Sequence, residues 1–362
     1  MEFTVNKTAF SEALSLVTTV VPERSARAIL QNLMLIGNAD GTITLAATDL
    51  EIGIKITLEV IGMQEPSSVL LPASRINALV KGTYADEIQI TITDNKAELK
   101  TKQGRFQVPG LEVVDYPTIP DFNAEGAIFI HGDDFVEAVQ KTVFATAKGD
   151  TRYALNGIYI NIDENHVEFV ASDTHRLSLV KKKIRNPDKV AAEGIMLTKG
   201  MTTLAKLAAG NDVVEISVTA NEMLAKTPNS TIVIRRVEGM FPRYRDVIPP
   251  KSDMHFTVAK EELLRSLHTI GLMSSDESKS VLFAIGQGSI GLSASSENGE
   301  GNLRLDAETV GTELEIKFNY VFLVDVLKNL SDDKVTIQYK DGDNPARIDA
   351  DDFMYVLMPI NR

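Results

Sequence analysis

The sequence predicts an α+β protein of three repeated units, in which antiparallel sheets carry two helices each on one face. Three observations lead there. A short pattern occurs three times, beginning at Phe3, Phe129 and Phe256. An acidic residue that closes a hairpin returns every 124 positions, at Asp49, Asp173 and Glu297. The 362 residues are too many for one ordinary core and, at roughly 100 to 200 residues per domain, point to two or three domains.

The elements follow in order within each unit. Phe3-Thr-Val-Asn-Lys-Thr-Ala-Phe10-Ser-Glu-Ala-Leu14, Phe129-Ile-His-Gly-Asp-Asp-Phe135-Val-Glu-Ala-Val139 and Phe256-Thr-Val-Ala-Lys-Glu-Glu-Leu263-Leu-Arg-Ser-Leu267 each read as a short strand turning into a helix. An alternating hairpin comes next, ending in Ala47-Thr48-Asp49, Ala171-Ser172-Asp173 and Ser295-Ser296-Glu297. A second strand-to-helix passage begins at Leu71-Pro-Ala-Ser-Arg75, Leu197-Thr-Lys-Gly-Met201 and Phe318-Asn-Tyr-Val-Phe322. Alternating strands then close the unit, as in Glu87-Ile-Gln-Ile-Thr-Ile92 and Ala97-Glu-Leu-Lys-Thr101 around the turn pair Asp94-Asn95. Each unit is thus two half-units of strand, helix and meander. Proline-rich stretches at Tyr116-Pro-Thr-Ile-Pro120 and from Phe241-Pro242 to Pro249-Pro250 mark the joints, giving domains 1–122, 123–250 and 251–362.

Composition narrows the function. Hydrophobic residues at 44% and charged ones at 24% are those of a folded globular chain rather than a disordered or fibrous one. There is no cysteine, which excludes disulfides, thiolate nucleophiles and cysteine-bound metal centres. No leader pattern and no long apolar run is present, so a cytoplasmic protein without membrane association is expected.

Motifs of chemistry are mostly excluded by context. Gly286-Gln-Gly288-Ser-Ile-Gly291 matches a dinucleotide fingerprint as a bare string, but an alternating strand follows it where a helix is required, so a hairpin turn is expected. Ser172, Asp173 and His175 lie too close along the chain to face one another as a catalytic triad. The five histidines are scattered singly, and the acidic clusters at 331–333 and 341–343 have turn composition. Neither metal nor cofactor nor catalytic residue is expected.

The charge distribution is more telling. The formal net charge of −13 argues at first against a nucleic-acid partner. Across six predicted helix windows, 6–21, 73–82, 132–148, 198–209, 259–271 and 319–331, there are ten basic residues: Lys7, Arg75, Lys81, Lys141, Lys148, Lys199, Lys206, Lys260, Arg265 and Lys328. Seven acidic residues share those windows, so the helices are about +3 and the rest of the chain about −16. Either lysine merely suits helices, or equivalent helices of equivalent units form a mildly positive face for sequence-blind contact with a polyanion.

Local segments make a resemblance specific. Thr48-Asp49-Leu50-Glu51, Asp150-Thr-Arg152-Tyr153-Ala-Leu155-Asn156-Gly157, Ser172-Asp-Thr-His175-Arg176-Leu177, Phe241-Pro242-Arg-Tyr-Arg245 and Tyr355-Val-Leu-Met358-Pro359-Ile360 resemble, in order along the whole chain, the bacterial DNA sliding clamps, the beta subunits of DNA polymerase III. The resemblance implies three DNA-clamp domains with sheets outside and helices lining an inner face. It implies a non-catalytic processivity factor, a ring-shaped homodimer that encircles double-stranded DNA. Partners would be the polymerase III alpha subunit, the clamp loader, other polymerases and repair proteins, bound through short peptides.

Carried over by motif, the peptide pocket would use Leu155, Ser172, Thr174, His175, Arg176, Leu177, Pro242, Val247 and Pro345. The C-terminal segment would add Val356, Leu357, Met358, Pro359 and Ile360. An apolar pocket with methionine suits several hydrophobic motifs. DNA contacts would come from Arg24, Gly149, Arg152 and Tyr153, joined by the helix cations Lys7, Arg75, Lys81, Lys141, Lys199, Lys206 and Arg265. The subunit interface would set Arg105, Phe106 and Val108 against Leu272, Met273, Glu297 and Glu300. Two other classes stay open on the residues alone: a scaffold that binds only proteins, and a hydrolase built on Ser172 and His175.

Overall fold

A computed structural model describes residues 1–149, 153–297 and 299–360. Among these are six α-helices: α1 Lys7–Thr18, α2 Ala73–Gly82, α3 Gly132–Val143, α4 Thr198–Ala208, α5 Lys260–Gly271 and α6 Tyr320–Leu327. Their positions repeat as the sequence pattern requires, and their starts have local causes. The Asn6 side chain accepts from Ala9 N (3.1 Å) to cap α1, and Asn319 accepts from Val321 N (3.0 Å) to cap α6. Acidic side chains occupy the first turns of α3 and α5, where the helix dipole favours them.

Three helices end short of the predicted windows: α1, which stops at Thr18 with Thr19 N and Val20 N bonded to Leu16 O and Val17 O, and α3 and α6. At the end of α3, Thr142 Oγ bonds back to Ala138 O, and Ala145 N and Thr146 N bond three residues back. Lys148 therefore lies beyond the helix. Asn329 N and Leu330 N likewise bond to Val326 O and Leu327 O, so α6 ends at Leu327 and Lys328 caps it. Such three-residue bonds tighten a last turn and stop it.

The chain folds as two compact units. The first comprises residues 1–136, 163–165 and 184–236. It holds a five-stranded antiparallel sheet in the order 61–64, 2–6, 87–93, 96–100, 105–109, and an eight-stranded one in the order 128–130, 214–218, 222–227, 230–235, 52–59, 42–48, 32–37, 68–72. The strands alternate buried and exposed residues, the signature of a sheet covered on one face. Asp94 and Asn95, both at positive φ, form the two-residue turn between 87–93 and 96–100. The buried phenol of Tyr116 donates to Asn32 O (3.1 Å) and accepts from Thr48 N (3.2 Å), tying the linker after the meander to the eight-stranded sheet.

The second unit comprises 137–162, 166–183 and 237–362. Its strands 157–162, 166–172, 176–183, 353–357, 346–350, 334–338, 255–259 and 308–310 run side by side in that order, and a four-stranded sheet runs 299–306, 289–296, 280–286, 314–319. Phe283 stacks on Phe256 (6.3 Å between centroids) and meets Phe318 edge-on (5.5 Å) in its core. The Gly286–Gly291 stretch is the hairpin expected, with Gly286 opposite Ser289 and Gly288 at φ +71°.

The repeat also governs how strands join. Ile52–Glu59 pairs with Ser230–Arg235, with Ile54 opposite Ile232. Its counterpart one repeat on, Arg176–Lys183, pairs in the same sense with Phe353–Leu357, with Val180 opposite Phe353. The third counterpart, Gly299–Asp306, stands at a sheet edge, and so does Arg105–Pro109, the counterpart of the two strands that serve as partners.

Candidate functional site: an apolar peptide cavity

The site grows from one tight turn. The Asp173 carboxylate accepts from His175 N and Arg176 N (both 3.0 Å), while Ser172 Oγ donates to Arg176 O (2.8 Å) and accepts from Thr174 N (3.2 Å). Thr174 is thereby held at φ +77°. The same turn occurs 124 residues earlier: Asp49 accepts from Glu51 N and Ile52 N, Thr48 Oγ donates to Ile52 O, and Leu50 has φ +78°. Ser172 is thus the anchor of a turn that the repeat carries at two positions, with its hydroxyl proton committed to a backbone carbonyl. The hydroxyl serves the turn, and among the described residues no hydrogen bond joins it to a base that would activate it as a nucleophile.

Behind the turn, Arg176 is buried. Its Nε bonds Asp173 (3.0 Å), one terminal nitrogen bonds Asp325 (2.7 Å), and the other bonds Phe144 O. Its guanidinium lies 4.3 Å from the Phe322 ring centre. Burial disfavours the charge, but the phenol of Tyr355 and the carboxylates of Asp325 and Asp173 outweigh it, and the Arg176 pKa is raised. The turn and the strand after it are fixed from below.

Above this lies a cavity of about 230 Å³. Of the residues expected there, Leu155, Ser172, Thr174, Arg176, Leu177, Pro242, Val247, Val356 and Met358 converge on it. Leu177, Tyr244 and Val356 of its lining belong to a core cluster completed by Val170. Val247 and Met358 are half-exposed apolar side chains at the mouth. Met358 is held in register because its N donates to His175 O (2.8 Å).

Five expected members fall elsewhere. His175 is exposed and its ring stacks on Phe322. Leu357 is 2% exposed, for strand side chains alternate faces and its neighbours Val356 and Met358 take the cavity side. Pro359 is buried and Ile360 N donates to Lys317 O (2.8 Å). Pro345 lines a neighbouring groove of about 620 Å³ that shares Val247 and Met358 with the cavity. Phe241, Arg243 and Tyr244 line the cavity unforeseen. All three lie in the Phe241–Arg245 segment read as a linker, and two aromatic side chains beside a proline were the signal for a wall.

The cations differ in availability. Arg24, Arg75, Lys81, Lys206 and Arg265 are exposed, and Lys7 is half-buried at the start of α1. Lys199 is exposed but paired with Asp49 (2.8 Å). Gly149 is exposed at φ +119°, its carbonyl accepting from Asn156 (2.7 Å). Arg152 and the side chain of Tyr153 lie outside the described residues. Lys141 is a correction: it is 8% exposed, paired with Glu137 (2.5 Å) and set over the Phe353 ring. It presents no free ammonium to a phosphate.

On the expected interface strands, Arg105 and Phe106 are exposed. Val108 is buried at 1% exposure, a second correction, although it shares a strand face with the exposed Phe106. Leu272 is 70% exposed, Met273 is half-buried against Gly299 and Gly301, and Glu297 and Glu300 are exposed. Among the described residues no acidic or histidine cluster could hold a metal, and no helix is long and apolar enough to cross a membrane.

The chain matches the DNA polymerase III beta subunit family in three consecutive blocks: the N-terminal domain over residues 1–120, the central domain over 129–243 and the C-terminal domain over 245–361. The chain belongs to that family. Within it the chain is a processivity clamp of DNA polymerase III, a non-catalytic subunit. It is 28% identical to the beta sliding clamp of Vibrio cholerae over 369 residues, covering 99% of this chain and 100% of the relative. It is 26% identical to that of Escherichia coli K12, again with 99% and 100% covered. The crystal structure of the Pseudomonas aeruginosa DNA polymerase III subunit beta matches it with a TM-score of 0.93 at 27% identity over the full length of both chains. The sliding clamp of that organism solved with griselimycin bound matches at 0.95 and 27%, also with both chains fully covered.

Proposed function

We propose that two copies pair head to tail into a closed ring around duplex DNA, slide on it through phosphate contacts, and tether partners by short peptides seated in the apolar cavity. The observation that carries this is the pair of free edges. Strands 52–59 and 176–183 each find a second partner inside the chain, whereas the equivalent 299–306 and the equivalent of their partners, 105–109, find none on their outer edges among the described residues. Repeating the same pairing between copies satisfies both edges at a heterologous interface, and closure of its rotation gives a ring. Arg105 on one edge and Glu300 on the other are of opposite charge.

Domains 1–122, 123–250 and 251–362 are the repeating bodies of this ring. Arg24, Arg75, Lys81, Lys206 and Arg265 supply the exposed cations for DNA. Partners are the polymerase III alpha subunit, the clamp loader, other polymerases and repair proteins, in the cytoplasm. No single bond to DNA need be strong, because linkage is topological.

The test is to load the protein onto nicked circular DNA with its loader, wash at high salt and then cut the circle. Retention through the wash and release from cut ends is expected. Loss in the wash marks a merely electrostatic binder, whose affinity falls steeply with salt, and retention on free-ended DNA contradicts encirclement. The cavity is tested separately by deleting Met358–Arg362, which removes griselimycin and peptide binding and leaves the dimer intact. Undiminished binding by the truncated protein overturns the site.

A further inference from the structure

We propose that Glu168, a buried carboxylate outside the cavity, is the positioning residue that holds the cavity's wall and thereby sets its affinity for peptide; this rests on the cavity being the peptide site. Glu168 lies on the strand His166–Ser172 with its side chain 8% exposed. A carboxylate so placed is strongly unfavourable unless its oxygens are fully engaged. One oxygen accepts from the Tyr244 phenol (2.6 Å) and from Arg245 Nη2 (2.7 Å), and the other lies 3.8 Å from Lys181 Nζ. Two of its three partners therefore belong to the 3-10 turn Tyr244–Val247, the segment that supplies the wall.

That segment needs an anchor. Its backbone bonds among the described residues are local, Tyr244 N to Pro242 O, Asp246 N to Arg243 O and Ile248 N to Arg245 O. Pro242 and Val247, the side chains it offers to the cavity, are exposed, so their own burial does not fix them. Among the described residues, two sheet side chains reach the segment with polar contacts. Arg347 Nη1 donates to Pro249 O (2.8 Å) at its far end, and Glu168 grips Tyr244 and Arg245 in its middle. The Tyr244 ring then lies in the cavity lining, in one core cluster with Leu177 and Val356, and Phe241 stacks on Tyr159 at 4.9 Å. The chain from carboxylate to phenol to ring to wall is continuous.

Charge-assisted bonds of this kind are the directional, expensive-to-lose ones. An amide at 168 keeps the shape and an acceptor for the phenol but loses the attraction for Arg245 and Lys181. The wall then samples wider positions, and a peptide must order it on binding.

The experiment measures griselimycin affinity by fluorescence polarisation, with a labelled derivative, for the full-length wild type, Glu168→Gln, Tyr244→Phe and the double variant. Melting temperature is recorded alongside. Glu168→Gln and Tyr244→Phe are each expected to weaken binding about tenfold, with the double variant no weaker than the worse single one, and with dimer mass unchanged. Glu308→Gln, which removes an exposed carboxylate bonded to Lys334, leaves affinity unaltered. Wild-type affinity in Glu168→Gln with a lowered melting temperature overturns the inference, because Glu168 is then only structural. Additive losses in the double variant overturn it also. Absence of griselimycin binding by the wild type removes the peptide-site reading itself, and the positioning role falls with it.

Discussion

At the scale of single residues, Arg176 and Glu168 are buried charges each engaged several times over, and the consequences of removing such groups are large. Arg176→Ala removes the guanidinium from the Asp173 and Asp325 carboxylates and the Phe144 carbonyl, and is expected to cost about 3–5 kcal/mol, read as a lowered transition in calorimetry. Arg176→Lys recovers little of this, since one ammonium cannot bridge three acceptors in different directions. Tyrosines give a pH dependence. Burial raises the Tyr116 pKa to about 12, against the backbone bond from Thr48. Burial, and then the hydrogen bond to Glu168, raise Tyr244 to about 12. A group that holds its proton more tightly when folded adds stability that is complete below its unfolded pKa of about 10 and is lost as pH climbs through the folded value. Urea midpoints are therefore expected to hold up to about pH 9.5 and to fall between pH 10 and 12, with Tyr116→Phe showing a smaller alkaline fall than the wild type.

At the scale of elements, the strand 105–109 depends on a glycine beyond its end. Gly110 N donates to Asn95 O (2.7 Å), and a Cβ there would stand 2.5 Å from Leu70 O and 2.6 Å from Asn95 O. Both are backbone atoms that cannot step aside. Gly110→Ala is expected to cost about 1–3 kcal/mol and to speed hydrogen exchange in 105–109 more than in 87–93. The elements themselves were largely legible in the sequence because periodicity is local: the strand-to-helix pattern recurs after 126 and 127 residues and the acid closing the hairpin every 124, and the helix starts carry Asn6, Asn319 and first-turn acids. Helix ends were not, because at 142–146 and 326–330 the stop lies in bonds three residues back that no residue type announces. The cavity was legible as far as its motifs reached. Tyr244 was missed because its role comes from Glu168, 76 residues away along the chain. Lys141 was misjudged because which face of α3 is covered depends on Phe353 and Lys182, far off in sequence.

At the scale of the whole molecule, the helices as they fold hold eight basic and seven acidic residues, so they are close to neutral while the rest of the chain carries the negative charge. The same residues that make the total negative leave exposed cations on α2, α4 and α5, so a net charge read alone misleads about a polyanion partner. The proposed pairing of edges makes a matching statement about association. Arg105→Glu sets an acid toward Glu300 and is expected to weaken the dimer about tenfold, roughly 1 kcal/mol or somewhat more, by sedimentation equilibrium. Glu300→Arg in the same chain restores it. Equal dimer affinity in all three proteins would move the interface off these strands.

The two bare strand edges also bear on the life of the chain before it assembles. An unpaired edge accepts whatever backbone arrives first, and a newly made molecule carries two of them that fit each other. Yield is then a race between correct pairing and indiscriminate accretion, decided by how crowded the nascent chains are rather than by how stable the finished sheet becomes. Slow, dilute synthesis should favour recovery of this protein even where its folded stability is unchanged.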